Sequence, residues 1–149
     1  AQQAPNLPAG WSYVLPTESQ WEYACRAGTT TAYSWGNTIA SSNANYNWDG
    51  TGTTGSDFKQ TRDVGQYAAN PWGFYDMHGN ASEMCMDRYG EYPNGSVTDP
   101  FGPTDGTTRV IRGGSWSTDG AYLRSAGHTN QAPGARGSLL GFRVGFQKQ

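Results

Sequence analysis

Hydrophobic residues recur at helical spacing in one short stretch near the start of the chain, LPTESQWEYACRAG. Trp21 and Cys25 fall on the same face of a helix at this spacing. Thr17, followed three residues later by Gln20, matches a capping box, and Gly28 stands where a C-cap glycine belongs. The pattern therefore predicts a helix that begins after Thr17 and ends before Gly28.

A second short helix is predicted over GNASEMCMD, where Asn80 can cap the N-terminus and Glu83 occupies the third helical position. RVIRGG predicts a short strand that ends at its glycines. GFRVGF predicts another strand, in which Phe142, Val144 and Phe146 alternate with other residues.

Long polar loops are predicted between these elements. Residues 29–70 and 90–108 are dense in Gly, Ser, Thr, Asn and Asp and lack the periodicity of a strand or helix. A loop of this length inside a compact domain is usually functional or fixed by a bound group. The chain, residues 1–149, is therefore interpreted as one small α+β domain, loop-rich, with short helices and little regular strand.

Composition narrows the function classes. The net charge is −2 and only 15% of residues are charged, so there is no basic patch for nucleic acid. No apolar stretch approaches the roughly 20 residues that span a bilayer. Cys25 and Cys85 could form one disulfide at most, and buried free thiols are the favoured interpretation.

Five segments in order resemble the formylglycine-generating enzyme (sulfatase-modifying factor) family, whose domain is a variant of the C-type lectin fold. They are LPTESQWEYACRAG, WGN, NPWGFYDMHGNASEMCMD, RVIRGGSW and LGFRV. GNASEM departs from the family, which usually has an aromatic pair around the glutamate. Family domains also usually carry an N-terminal half before the LPTE helix, and this half is expected to be missing here.

The resemblance does not extend to the oxidase chemistry. Family oxidases bind copper through two cysteines shortly after the GGS turn, whereas residues 117–123 of this chain contain none. His78 is interpreted as a hydrogen-bonded turn residue and His128 as solvent-facing, so they form no metal cluster. Glu18 and Glu22 are assigned to a solvated helix face. The sequence thus predicts a protein without bound copper that is not an enzyme.

Calcium is the cofactor that the resemblance implies, in a structural role. Carried over by position, one site would use the carboxylates of Asp76 and Glu83 with the carbonyls of Gly79 and Ala81. The alternative is that Glu83 only closes a capping box.

A second calcium site is implied in the long middle loop. Its candidate ligands are Asn45, the Tyr46 carbonyl and Asp57. A cation there would explain how this loop holds its shape without strands or disulfides.

The segment from Gly113 to Arg143 mixes two kinds of position. Framework positions are expected to include Leu123 and Phe142 as apolar contacts, and Arg124 and Arg143 as hydrogen-bond donors to several carbonyls. The positions expected to be free to contact a ligand are Ser117, Thr118, Asp119, Gly120, Tyr122, His128, Thr129, Asn130, Ala132, Gly134, Ala135, Gly137, Ser138, Leu139 and Leu140.

This spacing resembles the variable region of proteins diversified by retroelements, which are ligand-binding proteins with the same lectin-like fold. Their randomised asparagine codons never encode Lys, Glu, Gln, Met or Trp, and within residues 117–140 Gln131 is the sole exception. The resemblance implies a hypervariable surface with Tyr122 as aromatic anchor. Its partner would be an unknown protein or cell-surface ligand. The protein would be displayed on a cell surface, secreted or associated with a phage.

Two other functions stay open. The chain could be a catalytically inactive relative of the formylglycine-generating enzyme that acts as an interaction or regulatory domain. Calcium-dependent sugar binding is less favoured, because the EPN, QPD and WND triplets of such lectins are absent.

Overall fold

The computed structural model describes residues 7–47, 55 and 58–148. In chain order its elements are β1 (Trp11–Val14), α1 (Glu18–Arg26), β2 (Ser82–Arg88), β3 (Arg109–Arg112), β4 (His128–Gln131), β5 (Leu140–Phe142) and β6 (Gly145–Lys148). A 3-10 turn, Gly120–Leu123, lies between β3 and β4. The loop-rich α+β architecture predicted from the sequence is confirmed.

The strands form two sheets. β1 and β6 pair antiparallel as a two-stranded ribbon. The larger sheet has the order β4-β3-β2-β5, in which β2 and β5 are parallel and the other neighbours antiparallel. β2 is thus an inner strand, between β3, the next strand along the chain, and β5, which comes more than 50 residues later.

Helix α1 begins as predicted, because its capping box forms. The Thr17 hydroxyl accepts from the Gln20 amide at 3.2 Å, and the Gln20 side chain accepts from the Thr17 amide at 3.0 Å. The helix ends at Arg26, and both Ala27 and Gly28 adopt positive φ.

The core lies between α1 and one face of the larger sheet. Trp21 and Cys25 of the helix pack against Cys85 and Val110 of the sheet, with Met77 beside them. Residues alternate across the strands, so Ile111 and its cross-strand neighbour Thr129 lie on the opposite, outer face. Candidate binding residues on that outer face are therefore separated from the helix.

The second predicted helix is wrong, because GNASEMCMD enters strand β2. Its side chains alternate between buried and half-buried, which is the period of a strand. Asn80 adopts a φ of 66°, and its side-chain amide bonds the main chain of Arg62 instead of capping a helix. Pairing with β3 and β5 outweighs the local capping signal.

The single strand predicted over GFRVGF is also wrong. The chain leaves β5 after Phe142, Arg143 turns to Glu83 and to the carbonyl of Tyr75, and β6 begins at Gly145 in the other sheet. Phe142 is 70% exposed, so its predicted role as a core contact fails.

Candidate functional site

The segment between β3 and β5 is anchored at both ends and in its middle. Gly113 and Gly114 turn with positive φ, and a β-carbon on Gly113 would lie 3.1 Å from the Trp21 ring. Leu123 and Ser125 are fully buried, and the Ser125 amide donates to the carbonyl of Ala32 at 2.8 Å. These contacts hold a fixed framework from which the remaining positions project.

Most predicted ligand-contact positions lie on the surface of this framework. Tyr122 is 70% exposed, which suits an aromatic anchor. The other exposed positions are Ser117, Thr129, Ala132, Gly134, Gly137, Ser138 and Leu139, and the half-buried ones are Asn130, Ala135 and Leu140.

An open cavity of about 400 Å³, here called the outer cleft, lies among these positions. Residues 135–140 form one wall and Thr129 with Gln131 another, while Ile111 and Ser82 are framework residues of the lining. The indole of Trp116 donates to the Ser138 carbonyl at 3.1 Å and fixes the outer wall. Hydroxyl, amide and main-chain groups lie around the apolar side chains of Ile111, Leu139 and Leu140. This composition is suited to non-covalent binding of a ligand.

Sequence reasoning missed two contributors to this cleft, Gln131 and Arg136. The candidate set omits Gln131, because randomised asparagine codons never encode glutamine, and Arg136, because its spacing is that of a framework position. A strand over His128–Gln131 would have identified Gln131, because residues two apart in a strand share a face. Gln131 therefore lies on the same face as Thr129.

Four positions expected to be free have structural roles instead. Thr118 bonds the amide of Ser115 at 2.9 Å, and the Asp119 carboxylate accepts from the Ala121 amide to cap the 3-10 turn. Gly120 is buried. His128 is half-buried on the helix side of the sheet, so its predicted exposure to solvent is wrong. Variation at these positions would disturb the scaffold.

His128 belongs to a cluster that links β4 to α1. Its Nδ1 donates to Glu18 at 2.9 Å, and its ring stacks on Tyr92 with centroids 5.2 Å apart. Arg112, fully buried, contacts both Glu18 and Glu22. These glutamates therefore neutralise a buried guanidinium, and their assignment to a solvated face is wrong.

Both cysteines are free and buried, as predicted from the sequence. Burial raises the pKa of the Cys25 thiol to about 12, and the pKa of Cys85 is raised for the same reason. His78 lies 3.5 Å from the Cys25 sulfur and donates to the Leu123 carbonyl. Burial lowers the pKa of His78 to about 4. The neutral thiol beside a neutral imidazole is not arranged as an activated nucleophile.

The first candidate calcium set lies partly in one cleft. Asp76, Ala81 and Glu83 line this cleft, and Asp76 accepts from the Gly65 amide at 2.7 Å. Glu83 Oε2 accepts from Trp21 and Arg143, whereas Oε1 accepts one bond, from Arg143. Oε1 keeps a lone pair for a cation, but Arg143 already balances the charge of Glu83, so Asp76 would supply the negative charge of such a site.

The buried turn that contains Gly79 packs against the second candidate set. The Asn45 carbonyl accepts from the Asn80 amide at 2.8 Å, and the Asn45 side chain donates to Gln60. Asn45 and Tyr46 are buried, while Asp57 lies outside the described residues. Among the described residues no three His, Cys, Asp or Glu side chains converge on one point, so a cation at either site would need carbonyl ligands.

The chain matches the family model of the sulfatase-modifying factor enzyme 1-like domain over residues 1–147, and it belongs to this family. It is 41% identical over 134 residues to the serine/threonine-protein kinase pkn1 of Chlamydia caviae and 34% identical over 140 residues to the formylglycine-generating enzyme of Bos taurus. These alignments cover 87% of the chain but 20% and 37% of the respective relatives.

Among solved structures, the chain is similar to variable protein 1 of Treponema denticola. The TM-score is 0.80 at 35% identity, over 92% of this chain and 48% of that protein. The chain thus spans less than half the length of these relatives. The resemblance to both the enzyme family and variable proteins is confirmed. In the part of the chain that the structure describes, no helix has the length and apolarity needed to cross a membrane.

Proposed function

We propose that this chain is a ligand-binding domain that displays a diversified surface, formed by the outer cleft and the exposed positions around it. One observation carries the proposal. Exposed side chains of varied chemistry project from a segment whose anchors, Leu123 and Ser125, are fully buried. Binding residues commonly lie on loops that a rigid scaffold positions. The similarity to a variable protein supports such a scaffold.

The same proposal includes the absence of oxidase activity. The chain has two cysteines, and both are buried in the core, where the Cys25 sulfur lies 3.7 Å from the Ser125 hydroxyl beneath the binding segment. Neither thiol is placed to serve as a copper ligand beside the outer cleft. The protein therefore acts by binding.

An inactive domain that serves a larger protein is the second candidate function. The observation in its favour is the relative from Chlamydia caviae that is named as a serine/threonine-protein kinase. It is 41% identical to this chain, but the match covers only 20% of its length. A domain of this kind would present one fixed surface to one partner.

Sequencing the gene and its neighbourhood from several isolates distinguishes the two functions. We expect a near-copy of codons 117–143 beside a reverse transcriptase, with adenines in the copy wherever the gene varies. Variation should concentrate at exposed positions such as Tyr122, Thr129 and Leu139, and should spare Gly120 and Leu123. An invariant segment without a copy would favour the fixed interaction domain.

A further inference from the structure

A second and larger cavity lies away from the outer cleft, between α1 and residues 88–103. Its volume is about 900 Å³, and it shares no lining residue with the outer cleft. We call it the lateral cavity. Its lining includes Glu18, Glu22, Tyr23, Arg26, Asp87, Arg88, Glu91, Tyr92, Val97 and Phe101.

The walls of the lateral cavity are largely aromatic and aliphatic. Phe101 is 62% exposed and Tyr92 61% exposed, and Tyr23 and Val97 are also exposed. Three prolines, at positions 93, 100 and 103, complete the wall. A concave site with mainly apolar walls and a few polar groups is the usual form of a small-molecule binding site.

The charged groups around these walls are predominantly acidic. Four carboxylates and two guanidinium groups line the cavity, and the buried guanidinium of Arg112 contacts two of the carboxylates from behind, so the net formal charge of these seven groups is −1. Glu18 and Glu22 on α1 already pair with Arg112 and Arg26, and Asp87 accepts two main-chain amides. Glu91 on the opposite wall therefore supplies the carboxylate for a ligand. The exposed face of an aromatic ring also attracts cations, so the rings and the carboxylates favour the same ligand charge.

Hydrogen bonds fix the two walls relative to each other. Asp87 accepts from the amide of Glu18 at 2.8 Å and from the amide of Gly102 at 2.9 Å. The Tyr92 hydroxyl donates to Glu18 at 2.8 Å. A β-carbon on Gly102 would lie 2.7 Å from the carbonyl oxygen of Arg88, so the close approach there requires glycine. The cavity is therefore preformed.

We propose that the lateral cavity is a second binding site, which takes a small organic cation, a protonated amine carried on an aromatic or other apolar body. The apolar body would pack against Phe101 and Tyr92, and the ammonium group would face the carboxylate of Glu91. A neutral analogue lacks the charge attraction, and an anionic analogue meets the negative lining.

The test compares three probes of similar size: phenethylamine, 2-phenylethanol and phenylacetate. Titration of the isotopically labelled protein, followed by amide NMR shifts, gives the affinity and location of each. We expect phenethylamine to shift the amides of Gly90, Gly102 and Ala126, and to bind about tenfold more tightly than the alcohol. Equal binding of amine and alcohol, tighter binding of phenylacetate, or no binding would overturn the proposal.

Two variants and their controls refine the result. Glu91→Gln should weaken phenethylamine binding about two- to fivefold, as expected for an exposed charge, whereas Asp105→Asn outside the cavity should not. Phe101→Ala should weaken it further, whereas Tyr122→Ala at the outer surface should not. Shifts confined to the amides of Thr129 and Ser138 would show that the amine binds the outer cleft. That result would contradict the lateral site but would leave the proposed function unchanged.

Discussion

Gly120 packs so closely that a β-carbon at this position would lie 2.9 Å from Ile39 Cγ2 and 3.1 Å from a Tyr46 ring carbon. Gly120→Ser should therefore lower the free energy of unfolding by about 1–3 kcal/mol, because the neighbours must shift. Gly134→Ser is the matched control, since nothing lies within 4 Å of its β-carbon position. Urea denaturation of both variants measures the difference. Equal stability would show that position 120 tolerates diversification.

His78 makes the native state sensitive to acid. Burial lowers its pKa from 6.5 to about 4, so below pH 6.5 the unfolded chain binds a proton that the native protein excludes. The free energy of unfolding should fall by up to about 3 kcal/mol between pH 6.5 and pH 4. Denaturation at each pH measures the decline. A His78→Gln variant should lose this part of the pH dependence, and an unchanged slope in the variant would contradict the assignment.

At the scale of elements, an ion pair joins the end of β5 to β2 and α1. Arg143 donates to both oxygens of Glu83, and Trp21 of α1 donates to the same carboxylate at 2.6 Å. Arg143→Ala should lower the free energy of unfolding by about 2–3 kcal/mol. This lies below the full cost of breaking a buried pair, because the Arg143 side chain is 26% exposed. Thermal and urea unfolding measure the loss.

Arg136→Ala is the control for that ion pair, since Arg136 is exposed. Its stability should stay within about 0.5 kcal/mol of the parent protein. Comparable losses in the two variants would mean that removing any arginine destabilises this chain, and that the Glu83 contact has no special role.

The elements that could be predicted from sequence are those specified by neighbouring residues. Helix α1 is one, because Thr17 and Gln20 cap it within a single turn. Strand β4 has no periodic signal and exists through pairing with β3. The bond from His128 to Glu18 joins residues 110 positions apart, so no local pattern reveals it. The exposed part of the candidate surface was predictable, because small polar residues between buried anchors identify it.

For the molecule as a whole, long loops must be fixed by something other than strands. Residues 58–81 contain no helix or strand, yet Asn80 at the end of this stretch bonds both Arg62 and Asn45. Side-chain amides thus tie distant loops into the same core that holds the binding segment. A bound cation beside this network would add a second fixed point, at the cleft that Asp76 and Glu83 share.

We propose that calcium occupies this cleft and stabilises the native state. EDTA should then lower the melting temperature by several degrees, because a ligand bound only to the native state adds stability by mass action. Asp76→Asn should abolish the response to EDTA while its side-chain oxygen still accepts the Gly65 amide, whereas Asp105→Asn should retain the response. Calorimetry with elemental analysis provides the measurement. An unchanged melting temperature together with no bound calcium would show that hydrogen bonds alone hold these loops.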